Sequence, residues 1–109
     1  VQLEEIHHTH KKDAPSGTAI SLAEGIIKND PRFEGWKLDE TKEKELGIFA
    51  IREDEVPGTH SVFYKSSVDE IEIKHTAYSR NGFALGAVIA AEWIQGKTGN
   101  FSMKDVLFS

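Results

Sequence analysis

The chain has 109 residues, 13 Lys and Arg against 18 Asp and Glu, and a net charge of −5 with its histidines neutral. That length fits one domain with one core, and a two-domain enzyme does not fit within it. The absence of cysteine excludes disulfide frameworks, thiolate zinc sites and cysteine nucleophiles, and points to a reducing compartment, the cytoplasm. An acidic domain without a long basic stripe is a poor partner for nucleic acid. The longest apolar run, residues 83–94, is 12 residues long and contains Glu92. A membrane span needs about 20 apolar residues. The opening VQLEEIHH has neither a basic n-region nor a Met, so it reads as neither signal peptide nor natural start, but as a soluble piece of something larger.

Residues 1–8 alternate loosely, with Val1, Leu3 and Ile6 among glutamates, and predict a strand. A polar stretch ends in Asp13-Ala14-Pro15-Ser16-Gly17-Thr18. Apolar residues then recur at Ile20, Ala23, Ile26 and Ile27, which is helical spacing. Ser16 or Thr18 can cap that helix, and Asn29-Asp30-Pro31 stops it. Residues 32–46 are charged and weakly patterned, and read as a surface loop with one amphipathic turn at most. Strands are predicted over 47–52, 60–65 and 70–77, joined by short turns that favour an antiparallel meander. In the last of them Ile71, Ile73, His75 and Ala77 share one face. Residues 79–95 predict a second helix with Gly96 just beyond its end, and 98–108 an irregular tail. The expected fold class is α+β: a mainly antiparallel (mixed) sheet with helices packed on one face.

His7, His8, His10, Lys11 and Lys12 place five potentially cationic groups in six positions of an acidic chain, which concentrates an anion there. Ser16-Gly17-Thr18 opens a helix whose first N–H groups are free and partially positive, an acceptor for carboxylate or phosphate. Gly17 permits close approach of a ligand to the backbone, and the two hydroxyls add donors. A lysine and a helix N-terminus can each hold one carboxylate, so a small dicarboxylate is the expected ligand. Asp13 and Pro15 would fix the loop between them. The plainer alternatives are a cap alone for Ser-Gly-Thr and an exposed polar loop for the histidines. A His-based metal site lacks ligands at helical spacing, and no metal is expected. His60 and His75 read as core or interface histidines. No G-x-G-x-x-G or phosphate-loop pattern is present, so no cofactor-binding residue is assigned.

The run from Glu5 to Ala19, EIHHTHKKDAPSGTA, resembles the signature of the dihydrodipicolinate reductase (4-hydroxy-tetrahydrodipicolinate reductase) family, close to E-x-H-H-x-x-K-x-D-A-P-S-G-T-A, at every fixed position. Pro57-Gly58-Thr59-His60, Glu72-Ile73-Lys74-His75, Ser79-Arg80, Phe83-Ala84-Leu85-Gly86-Ala87 and the segment from Gly99 to Leu107 agree as well, so the likeness covers nearly the whole chain. The resemblance implies residues 1–109 as the C-terminal substrate-binding and oligomerisation domain of a bacterial enzyme of diaminopimelate and lysine biosynthesis. The N-terminal Rossmann domain would lie outside this chain, and the fragment alone would be inactive. It implies NADPH or NADH as hydride donor, a ring carbon of the substrate as acceptor, and an enamine that is then protonated. It further implies His7 and Lys11 as the catalytic pair, with His8, Ser16, Gly17 and Thr18 holding the substrate's carboxylates beside Lys11. Arg80, at the start of the second helix, is a further candidate to complete the site or meet the nucleotide. Apolar bulk on both sheet faces (Phe63 and Tyr64 point oppositely) agrees with the homotetramer the family forms through this domain. The alternative from another class is a non-catalytic dicarboxylate-binding or assembly module.

Overall fold

The structure is a computed structural model that describes residues 1–108. The chain divides into two compact units, Val1–Tyr78 and Ser79–Ser109.

The first unit is a five-stranded mixed sheet in the order β2-β3-β1-β4-β5, with one helix. Its elements are β1 (Gln2–His7), α1 (Gly17–Asn29), β2 (Gly35–Leu38), β3 (Glu45–Arg52), β4 (Gly58–Lys65) and β5 (Glu70–Ala77). β1 lies at the centre, parallel to β3 and antiparallel to β4. The alternation of β1 is complete: Leu3, Glu5 and His7 are buried, and the residues between them half-buried. In register with them on the same face stand Ile48, Ala50 and Arg52 of β3, and Val62 and His60 of β4. α1 packs Ala19 and Ala23 onto this face, closing a core with Leu3, Leu46, Ile48 and Val62, flanked by Val1, Ile26, Phe33 and Trp36. Each fully buried Leu or Ile contributes about 1.5–3 kcal/mol. The small alanines let α1 sit close to the strands, and Ser16 caps it by accepting the N–H of Ala19.

Two expectations are corrected. The meander fails at its first step, because β3 and β4 are not paired: β1 lies between them. The two strands still run in opposite directions, but their connection spans a whole strand, about 10 Å. It is tied to β1 by Glu53 N–H to the His7 carbonyl (2.8 Å) and Thr9 N–H to the Asp54 carbonyl (3.0 Å). The second correction concerns residues 32–46, which are not all loop: β2 forms there, parallel to β3, with Trp36 against the core. Its return to β3 passes over Gly47, where an added Cβ would stand 2.9 Å from the Glu40 carbonyl oxygen.

The second unit holds α2 (Asn81–Trp93) and a short α3 (Met103–Leu107) within what reads from sequence as an irregular tail. Gly96 follows α2 at φ +77°, as its expected place beyond the helix end requires. Ser102 and Asp105 form a reciprocal capping box at the start of α3, and Trp93 meets Phe101 edge-to-face at 5.1 Å. Among the described residues, no helix is long and apolar enough to cross a membrane.

Candidate active site

The register of the first unit gathers Glu5, His7, Arg52 and His60 at the end of β1, beneath the N-terminus of α1. Glu5 is fully buried, and a buried carboxylate needs partners. Its Oε2 accepts the Ser16 N–H at 2.6 Å, and its Oε1 accepts from Arg52 Nη1 at 2.5 Å. Arg52 Nη2 donates to the Asp13 carbonyl at 2.6 Å, and Lys11 Nζ pairs with an Asp13 carboxylate oxygen at 3.0 Å. One carboxylate thus ties β1 to the helix start, and one guanidinium ties β3 to the loop that carries the lysine. Burial pushes the Glu5 carboxyl up, but the hydrogen bonds from Ser16 and Arg52, with the charge of Arg52, outweigh it and hold it below the ordinary range.

The imidazole of His7 is buried, with Nδ1 3.5 Å from Glu5 Oε1, and meets His60 edge-on at 5.0 Å between centroids. Burial lowers its proton affinity. Glu5 opposes that shift, and the charges of Lys11 and Arg52 reinforce it. Burial lowers His60 in the same way, helped by the charge of a protonated His7. His60 Nε2 lies 3.2 Å from Ser16 Oγ. Backbone room for His7 comes from Gly58, at φ +156°, where a Cβ would stand 3.2 Å from His7 Nε2.

The Glu5, His7 and His60 ligand atoms lie within 4.8 Å of one another, a grouping able to hold a metal ion. Both Glu5 oxygens are already committed, however, and Arg52 and Lys11 add positive charge beside them. The field favours an anion over a cation. With the Ser16 N–H spent on Glu5, Gly17 and Thr18 present the free N–H groups of the helix end. Two such groups, with the hydroxyls of Ser16 and Thr18 beside them, suit one carboxylate.

Residues 1–107 match the family model described as dihydrodipicolinate reductase, C-terminus. The chain belongs to that family. A 4-hydroxy-tetrahydrodipicolinate reductase of Christiangramia forsetii is 61% identical over 107 residues, 98% of this chain and 45% of the relative. Those of Archaeoglobus fulgidus and Aquifex aeolicus are 43% and 45% identical, over 97% of this chain and 45% and 42% of their own lengths. The chain therefore spans less than half the length of these relatives. A dipicolinate-bound dihydrodipicolinate reductase from Paenisporosarcina sp. TG-14 shares the fold, with a TM-score of 0.65 at 22% identity, over 85% of this chain and 38% of that one.

Within this family domain, His7, Lys11, Ser16, Gly17 and Thr18 lie about the network just described. His8 does not join it. Its imidazole stands 6.1 Å from that of His10, which pairs with Glu55 at 3.3 Å, and its buried Nδ1 has no hydrogen-bond partner. Arg80 is exposed at the start of α2 in the second unit, outside the residues the first unit brings together. Glu5, Arg52 and His60 carry the network without having been assigned a role from sequence. The first and last stand inside the family runs, while Arg52 has no local signal: only the β1–β3 register places it beside Glu5.

Proposed function

We propose that this chain is the substrate-binding and catalytic domain of a reductase that acts on 4-hydroxy-tetrahydrodipicolinate with NADPH or NADH, in diaminopimelate and lysine biosynthesis. The observation that carries the reading is the Lys11–Asp13–Arg52–Glu5–Ser16 chain of contacts. It joins a lysine, the open end of α1, the buried imidazole of His7 and the half-buried one of His60, which is what a dicarboxylate beside a proton donor needs. One carboxylate of the substrate exchanges with Asp13 for the Lys11 ammonium. The other takes the N–H groups of Gly17 and Thr18, with the hydroxyls of Ser16 and Thr18 and the imidazole of His8 as further donors. His7 and Lys11 are the pair that handles the proton. Buried and neutral near pH 7, His7 releases a proton readily once charged.

The nicotinamide nucleotide belongs to a domain outside residues 1–109, and Arg80 is a candidate to meet it. The likeness of fold to a dipicolinate-bound reductase and the family match support this reading. The same domain assembles a cytoplasmic homotetramer through its sheet. Ile71 and Ile73, 60% and 62% exposed on edge strand β5, are the apolar surface for it. Light scattering of the protein should give four copies, and Ile73→Lys should lower that number.

The test of the site is calorimetry with pyridine-2,6-dicarboxylate, a planar mimic of the substrate, at low salt near neutral pH. The wild type should bind it, and Lys11→Ala should weaken binding by roughly tenfold or more, the loss of one charge-assisted hydrogen bond. Equal affinity of wild type and Lys11→Ala would favour instead a non-catalytic binding or assembly module.

A further inference from the structure

Ser16 Oγ has one proton and two lone pairs. One lone pair takes the Ala19 N–H at 3.1 Å, so the polarity of the 3.2 Å contact with His60 Nε2 decides what the hydroxyl has left. If Ser16 donates to His60, its proton is spent and it offers nothing to a ligand. If His60 donates, both lone pairs are filled and the proton is left for a carboxylate, that of Glu5 or that of a ligand. We propose that His60 is a positioning residue for the anion site, its Nε2–H donating to Ser16 Oγ so that the Ser16 hydroxyl proton turns toward a carboxylate bound at the N-terminus of α1.

The surroundings of His60 suit that role. β1 presents Glu5 and His7 to it, β5 places His75 in register opposite, and the charge of Lys11 reaches it from the β1–α1 loop. Glu5 is the competing acceptor: its oxygens keep lone pairs beside the Ser16 N–H and Arg52, and a hydrogen bond from the Ser16 side chain helps hold its carboxyl low, so a bound carboxylate must draw the hydroxyl proton away from it. A carboxylate at Gly17 and Thr18 selects the polarity in which a proton faces it, so ligand binding and the His60 tautomer are linked.

This inference rests on the dicarboxylate site proposed above, and the experiment separates the two. Calorimetry with pyridine-2,6-dicarboxylate is run on the wild type, His60→Leu, His60→Gln, Ser16→Ala and the His60→Leu/Ser16→Ala double variant. His60→Leu should weaken binding about tenfold, the scale of one hydrogen bond to a charged group. His60→Gln, whose amide can donate to Ser16, should recover most of it. The double variant should bind no worse than Ser16→Ala alone, because His60 acts through that hydroxyl. Additive losses, unchanged affinity in His60→Leu, or no recovery with glutamine would overturn the proposal while leaving the site reading intact. Absence of binding by the wild type would overturn the site reading itself. Ring-nitrogen NMR without ligand gives an independent arm: Ser16→Ala should move the His60 Nε2 signal, and a His60 spectrum indifferent to that change overturns the proposal whatever the dicarboxylate does.

Discussion

The carboxylate of Glu5 accepts the backbone N–H of Ser16 at 2.6 Å, joining the buried central strand to the first turn of α1. This bond sets where the open end of the helix stands relative to His7, two residues along the same face of β1.

Glu5→Gln should therefore be expensive. It leaves Arg52 without its counter-charge in a largely buried setting, at a cost of roughly 3 kcal/mol in urea unfolding, the low end for such pairs because Arg52 is partly exposed. The native carboxyl is held below its ordinary range, so the stability it contributes is present above about pH 4.3 and lost as pH falls through the folded value. Glu5→Gln should flatten the stability profile in that acid window. A cost below about 1 kcal/mol would show that the network does not anchor the helix.

His7 and His60 titrate in the same sense by a different route. Burial lowers both, so the folded state binds fewer protons than the unfolded chain. Their contribution is whole above about pH 6.5 and declines as pH drops through the folded values. Melting temperature against pH should fall from about pH 6.5 downward, and fall less in His60→Gln. NMR titration midpoints of the two rings at or above the free-histidine value would contradict this.

Gly58→Ala puts a methyl group 3.2 Å from His7 Nε2 at a φ of +156°. The ring must move, and its shelter beside His60 is reduced. The His7 titration should shift up toward the free-histidine value, and stability should fall by about 1 kcal/mol for the strained backbone. A His7 titration unchanged by the substitution would mean that Gly58 does not set the ring's position.

Gly47→Ala tests the β2–β3 return. The new Cβ meets the Glu40 carbonyl oxygen at 2.9 Å, a backbone atom that moves only with its loop. A loss of about 1–3 kcal/mol is expected in chemical denaturation. Wild-type stability would show that this connection yields freely.

Much of the candidate site is legible locally. The spacing from His7 to Thr18 lies within one loop and one helix start, where a cap, a glycine and a lysine act on their near neighbours. α1, β4, β5 and α2 followed from periodicity and turn residues for the same reason. β2 was missed because its Gly35-Trp36-Lys37-Leu38 run is too short to show a period, and it is a strand only by pairing with β3.

The sequence by itself determined the family, through motif runs spread along the chain, and also the helices and strands of an α+β fold and the loop that carries the histidines and Lys11, which rest on contacts between residues close in the chain. Only the tertiary structure decided that β1 lies between β3 and β4, and with it that Arg52 and His60 flank Glu5 and His7. The reason is physical: short connections favour adjacent pairing, but burying Leu3 and Glu5 beneath α1 places β1 in the centre. Which side chains then meet across it is a matter of register, for which no local pattern encodes a signal.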